Sequence, residues 1–276
     1  MSTVFTEIAD RVYLLRQPML DVNVTLVVGD GEALVVDTLS TAGQAAELVA
    51  AARAVTPAPL TVVNTHHHFD HCFGNATIAG DPPRPVYAHE AAVALLRERP
   101  QLVRRQAYEE MLPSAPELAA ELARTPLLAP THVVQRETIL DLGGRPVTLR
   151  HLGRGHTDGD LVVHVPDAQV LVVGDLVEES GPLAFDDGYP LEWAETLDQM
   201  LRLITPDTAV VPGHGSVVGP DFVRAQHESL VTLGWLIRDG HRNRSLVERV
   251  AECAPFTPEA ALTAVQRGYA ELTNGV

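Results

Sequence analysis

The sequence predicts an α/β fold of four layers, a sandwich of order α/β/β/α. Short apolar runs alternate with helix-patterned segments along most of the chain. The segment Gly29-Asp-Gly-Glu-Ala-Leu-Val-Val-Asp37 resembles Pro166-Asp-Ala-Gln-Val-Leu-Val-Val-Gly-Asp175, each a polar turn, an apolar strand and then an aspartate. Two sheets of similar make, each with helices outside, would give four layers, although any two hairpins share such features. A length of 276 residues with 46% hydrophobic side chains is ample for a buried core. The expected organisation is one domain over 1–276, with a helical insertion at about 89–130 and C-terminal helices at about 221–276.

The elements follow in order. Arg11–Arg16, Asn23–Val28 and Ala33–Asp37 are runs rich in Val, Leu and Tyr, with Gly29–Glu32 as a hairpin turn. Thr41–Val55 carries Ala45, Leu48, Val49 and Ala52 at helical spacing, and Pro57 and Pro59 end it. Leu60–Asn64 and Pro85–Ala88 read as strands. Residues 89–130 are rich in Ala, Leu, Glu and Arg and broken by prolines, so two or three short helices are expected there. Strands resume at Thr131–Leu140, Pro146–His151, Leu161–Val165 and Val170–Val173. A helix over Leu191–Leu203 and a strand over Ala209–Val211 come next. Asp221–Arg238 and Ser245–Cys253 are helices, and Thr257-Pro258-Glu259 starts the last one with threonine at the N-cap and proline at N1.

Charge excludes several chemistries. The chain has 36 acids against 20 bases, a formal net charge of −16, and every base is arginine. Without lysine there is no Walker A loop, no pyridoxal phosphate Schiff base and no lysine nucleophile. An acidic chain is also a poor general binder of nucleic acid, which needs a basic surface. No apolar run reaches the ~18–20 residues of a membrane span. The start, Met1–Asp10, lacks a basic n-region and an apolar h-region, and Cys72 and Cys253 cannot build a disulfide framework. A cytoplasmic location is the expectation.

The segment Thr65-His66-His67-His68-Phe69-Asp70-His71 follows the strand Leu60–Asn64. Imidazole and carboxylate are the usual ligands of zinc and related divalent ions. Alternate side chains at a strand end share a face, so His66 and His68 reach one metal while His67 points away. If the chain then turns into a helix, Asp70 and His71 project toward a second metal. The remaining ligands must come from other strand ends, and three residues fit: His156 in Gly155-His-Thr-Asp-Gly159, Asp175 after Val170–Val173, and His214 in Pro212-Gly-His-Gly215.

This set, His66-x-His68-x-Asp70-His71 with His156, Asp175 and His214, resembles the metallo-β-lactamase superfamily from about Val12 to Ser216. The resemblance implies that fold. It implies that His66, His68 and His156 bind one metal, that Asp70, His71 and His214 bind a second, and that Asp175 bridges both. It further implies a binuclear zinc hydrolase, with iron or manganese as other possible metals. A metal-bridging hydroxide would attack an activated acyl substrate, a thioester, lactone or ester, and Asp70 would serve as the catalytic residue that orients the nucleophile. The partner is then a small-molecule substrate, with neither nucleic acid nor membrane, and the oligomeric state is open. The alternative is a persulfide dioxygenase-like oxidoreductase, whose single iron would take His71, His156 and Asp175.

Departures narrow the subfamily. The superfamily's β-lactamases have Cys or Ser at the position of Asp175, whereas glyoxalase II-like hydrolases, lactonases and thioesterases resemble this chain there. Glyoxalase II binds glutathione partly through lysine, and acyl-homoserine lactonases usually read His-Thr-Pro-Gly-His where this chain has His156-Thr-Asp-Gly-Asp160. Around the site, His67 is expected to pack as a non-ligand and Cys72 as a small buried residue. His89 should start a helix. His132, His151 and His164 read as strand or surface positions. Asp37 is expected to hold the His66–His71 loop. The loop Val177–Pro190, with Phe185 and Tyr189, either lines the substrate pocket or is surface coil. Specificity is expected in residues 89–130 and 177–190.

Overall fold

The computed structural model describes residues 4–274. Parts of two expectations, the leaderless start and the outer limits of the domain, fall on residues 1–3 and 275–276 and lie outside the described residues.

Strands β1 (Thr6–Ala9), β2 (Val12–Gln17), β3 (Val22–Val28) and β4 (Ala33–Val36) form an antiparallel meander. The helix α1 (Ala42–Val55) then crosses to β5 (Leu60–Val63), parallel to β4. Thr41 and Gln44 close the start of α1 as a capping box. The short helices α2 (Phe69–Cys72) and α3 (Asn75–Ala79) lead to β6 (Val86–His89). Helices α4 (Glu90–Glu98), α5 (Pro100–Met111) and α6 (Pro116–Leu122) fill the region expected to be helical, and β7 (His132–Val134) pairs with β6 at the sheet edge.

The second half holds β8 (Glu137–Asp141), β9 (Pro146–Arg150), β10 (Val162–Val165) and β11 (Val170–Glu178), joined antiparallel. Then α7 (Trp193–Leu201) crosses to β12 (Ala209–His214), parallel to β11. Helices α8 (Pro220–Arg242), α9 (Val247–Ala251) and α10 (Pro258–Asn274) finish the chain. The two half-sheets meet at one residue pair, His214 with Val22. Among the described residues no helix is long and apolar enough to cross a membrane.

Side-chain alternation makes the four layers. Ala33, Val35, Leu60 and Val62 pack outward on Ala45, Leu48 and Ala52 of α1. Their neighbours Leu34, Val36 and Val63 face the other way, onto Val163, Val165, Val170, Val172 and Val211 of the second half. Behind that layer, Val162, Leu171, Val173 and Val210 meet Trp193 and Leu197 of α7 and Leu230 and Leu233 of α8. Period-two strands therefore place one face against helices and one against the opposing sheet. Each fully buried Leu or Val of these layers contributes roughly 1.5–3 kcal/mol. The α/β/β/α expectation holds.

Several element limits differ from expectation. Thr131–Leu140 is two strands, because residues 132–134 pair with β6 while 137–141 pair with β9 in the other half-sheet. The chain must turn at Gln135–Arg136 to serve both. The four-residue β1 has no apolar run and forms through its pairing with β2. The strand carrying Asp175 does not end there. Gly174 takes φ of +55°, interrupts the register with β12, and the strand then continues to Glu178.

Candidate metal centre

The expected residues converge where the two half-sheets meet. The strand β5 ends at Val63 and the chain bends through His66–His68 into the single turn of α2, which carries Asp70 and His71. His156 comes from the β9–β10 loop, Asp175 from β11 and His214 from the last position of β12. The expected donors fall into two groups, His66, His68, His156 and Asp175 in one and Asp70, His71 and His214 in the other; His67, His68 and Asp187, and Asp175, Glu178 and His214, form two further overlapping clusters.

Asp175 lies between the two groups of expected donors. Its Oδ2 is 3.7 Å from His66 Nε2, 3.5 Å from His156 Nε2 and 3.4 Å from His214 Nε2, and its Oδ1 is 3.3 Å from His71 Nε2. Within the second group, Asp70 Oδ2 is 3.5 Å from His71 Nε2 and 3.3 Å from His214 Nε2. Bonds of 2.0–2.2 Å to zinc set neighbouring donors of a tetrahedron about 3.3–3.6 Å apart, and the observed separations straddle that span.

One nitrogen of each ring is held by a hydrogen bond, and the other faces the cluster. His71 Nδ1 donates to Asp37 Oδ2 at 2.8 Å, and His214 Nδ1 donates to the Leu20 carbonyl at 2.7 Å. His156 Nδ1 donates to the Ala184 carbonyl at 3.3 Å. His68 differs, since its Nε2 donates to Asp187 at 3.1 Å and leaves Nδ1 facing His156 Nε2 at 2.9 Å. His66 Nδ1 lies 3.0 Å from Thr65 Oγ1, whose own hydrogen goes to Asp37 at 2.8 Å. The opposite nitrogens face one another, as His71 Nε2 and His214 Nε2 do at 3.3 Å. Ring nitrogens that close need a shared proton or a cation between them. Buried His66 Nε2 and Asp175 Oδ1 have no hydrogen-bond partner, and such orphans are costly. The donor set fits a pair of divalent ions.

The electrostatics divide the rings: burial would lower His71 and His214, but the Asp175 and Asp70 carboxylates outweigh it and raise both well above the ordinary range, so without a metal each holds a proton that a bound cation would displace. Burial, then the surrounding imidazoles, push His66 well below the ordinary range, and burial leads in holding His156 at about 3. Both are therefore neutral. Burial would raise Asp175, but the His71 and His214 imidazoles outweigh it and keep the carboxylate ionised. Neutral imidazole and ionised carboxylate are the ligating forms.

A frame of buried polar residues supports these groups. Asp37 accepts from Thr65 N at 2.7 Å as well as from Thr65 Oγ1 and His71, so one carboxylate steadies His66 and His71 together. It sits in the left-handed region, φ +66°, which Asp tolerates better than most residues. The Asp37 expectation holds. We predict that Asp37→Asn lowers metal affinity roughly 10–100-fold, because an amide cannot accept all three hydrogens. Competition with a chromophoric chelator would measure it, and unchanged retention would rule out this role. Asn64 Nδ2 and Thr38 Oγ1 both donate to the His71 carbonyl, at 3.0 and 3.1 Å.

The remaining expectations resolve as follows. His67 reaches Asp187 at 3.3 Å, outside both donor groups above. Cys72 is buried among Phe69, Phe73 and Leu96, donates to the His67 carbonyl, and burial raises its thiol pKa. His89 caps α4 and stacks on His151 at 3.9 Å between ring centroids. Ala184, Asp186 and Asp187 of the 177–190 loop line the cavity over the site, while Phe185 is buried in the second half's core. Sequence reasoning missed Asp187 and Asp160. The Asp160 carboxylate accepts from Thr157 N at 2.9 Å and from Thr157 Oγ1 at 2.6 Å, which closes the turn after His156. A Thr-x-x-Asp spacing beside a candidate ligand was the available signal.

The cavity above the donors has a volume of about 600 Å³. Leu20, Phe69 and α5 residues Val103, Ala107 and Met111 form its apolar wall.

Four-layer fold and paired His/Asp groups define the class. The chain belongs to the metallo-beta-lactamase superfamily, whose family model matches residues 18–214. It is 30% identical to a metallo-beta-lactamase type 2 of Bacillus sp. (strain 170) over 56% of this chain and 51% of that one. It thus spans about half the length of that relative. An acyl-coenzyme A thioesterase MBLAC2 of Gallus gallus is 27% identical over 72% of this chain and 74% of its own. The crystal structure of DIM-1 metallo-beta-lactamase superposes with a TM-score of 0.65 at 19% identity, over 83% of this chain and 96% of that one. These relatives are hydrolases by name.

Proposed function

We propose that the protein is a binuclear zinc-dependent hydrolase of activated acyl compounds, a thioester, lactone or ester of small size. The observation that carries this reading is Asp175, whose two oxygens stand between the donor groups, with Oδ1 buried and unpartnered. His66, His68 and His156 would hold one ion, Asp70, His71 and His214 the other, and Asp175 both. Bound there, the ions would lower the pKa of a shared water to give hydroxide near neutral pH and would polarise the acyl carbonyl.

The chain's residues do the rest. Asp70 would orient the attacking hydroxide and pass a proton to the leaving group. The apolar wall of Leu20, Phe69, Val103, Ala107 and Met111 holds the acyl group and excludes water from it. Asp37 and Asp187 keep the imidazoles in register. Two free thiols, Cys72 and Cys253, suit a reducing compartment, and the cytoplasm is part of this reading.

The test is hydrolysis of a panel of simple thioesters, lactones and esters, abolished by a chelator and restored by added zinc. Oxygen uptake on a thiol persulfide, with no hydrolysis of the panel, would replace this reading with an oxidoreductase. Penicillins and carbapenems are expected to be poor substrates, since a carboxylate, Asp175, stands where the resembling β-lactamases carry Cys or Ser. A carbapenem kcat/KM on the order of 10⁴ M⁻¹s⁻¹ or more would place the activity with the Bacillus relatives instead.

A further inference from the structure

The cavity over the donor groups is lined by four carboxyl side chains beyond Asp70 and Asp175, namely Glu110 on α5, Glu178 at the end of β11, and Asp186 and Asp187 on the loop before α7. Among the described residues no arginine lines it, and the chain has no lysine. Arginines on neighbouring elements are held by other groups, Arg267 by the backbone of the rim loop itself. Arg104 donates to the Thr125 carbonyl at 3.1 Å, Arg105 lies 3.8 Å from Glu109, and Arg267 donates to the carbonyls of Gly188 and Asp186. Glu110 and Asp186 are exposed, and neither forms an ion pair among the described residues. The exposed rim therefore carries carboxylates and no lining arginine, beside the apolar wall and the polar Gln106 and Ser180.

We propose that this cavity selects acyl substrates whose leaving portion is neutral or cationic and disfavours those carrying phosphate, sulfonate or carboxylate groups. The inference rests on the hydrolase reading and names its substrate class. Two divalent ions under the reacting carbon would be only partly offset by Asp70, Asp175 and a bound hydroxide, and a charge carried further out on the substrate meets the rim instead. An anion there finds no arginine or lysine lining the cavity and the carboxylates of Glu110, Asp186 and Asp187 to repel it. A trimethylammonium group finds the reverse. Coenzyme A, with its phosphates, is thus a poor fit even though a relative is an acyl-coenzyme A thioesterase by name.

The test uses three hexanoyl thioesters with the same reacting carbon, those of thiocholine, N-acetylcysteamine and 2-mercaptoethanesulfonate. With the zinc-loaded protein at low salt, kcat/KM for the cationic and neutral esters should exceed that for the anionic one at least roughly tenfold. Raising the salt should narrow the ratio. The double variant Glu110→Gln, Asp186→Asn should narrow the cation-to-anion ratio several-fold. Equilibrium affinities of the S-hexyl thioethers of the same thiols, which cannot be hydrolysed, should follow the same order. An anionic member that reacts or binds as well as the cationic one overturns the inference. Absence of turnover with all three esters, alongside the expected order of thioether affinities, removes the hydrolase reading and leaves the charge selection standing.

Discussion

Asp175→Ala should abolish hydrolysis, lowering kcat/KM on the order of 10³-fold or more, while His67→Ala leaves most of it. Among the described residues, Asp175 is the only side chain whose oxygens reach donors of both groups, at 3.3–3.7 Å. Its removal would leave the two proposed ions without their shared carboxylate, and the electrostatic stabilisation a metal gives a reacting centre amounts to several kcal/mol. His67 turns its Nε2 to Asp187 and supplies no donor to either group. Rates and metal content of the two purified variants decide the point, and equal losses would contradict the assignment.

Gly213→Ala should disable the site almost as thoroughly, with little loss of fold. A Cβ at Gly213 would stand 1.8 Å from Asp175 Oδ1 and 2.9 Å from its Cγ. Contact that close cannot persist, and the movable partner is the Asp175 side chain, which must rotate out of the space between the groups. The nearest backbone atom, Gly174 C, is 3.0 Å away, so the strand itself needs only a small shift. Thermal unfolding should move by a few degrees at most, about 1 kcal/mol or less in a chain this size, while metal retention and turnover collapse. Full activity in this variant would mean that Asp175 has freedom the packing denies it.

Most of the candidate donor set was legible because strand ends mark it, His156 within the β9–β10 loop excepted. Leu60–Val63, Val170–Val173 and Val210–Val211 are short apolar strands, and each is followed within a few residues by His or Asp, beside glycine in the last two. Four-layer packing was legible for a related reason, since Leu34 and Val35 must face opposite sides of a strand. Other features depend on distant contacts. Asp187 lies in a loop without periodicity, and only folding brings it to His68, 119 residues earlier in the chain. The Leu20 carbonyl that fixes His214 is a backbone atom 194 residues away, which no side-chain pattern encodes. The break of Thr131–Leu140 into two strands comes from their different partners in the two half-sheets, a choice that local propensity does not record.

Metal content is the direct measure of the proposed two-ion centre. Protein made without a metal supplement should hold close to two divalent ions per chain, counted by elemental analysis against protein concentration. His214→Ala removes a donor from the group of Asp70 and His71 and none from His66, His68 and His156. That variant should retain about one ion and lose most of its turnover. One iron in both the wild type and the variant, with oxygen consumed on a thiol persulfide, would contradict the two-ion centre and leave the fold intact.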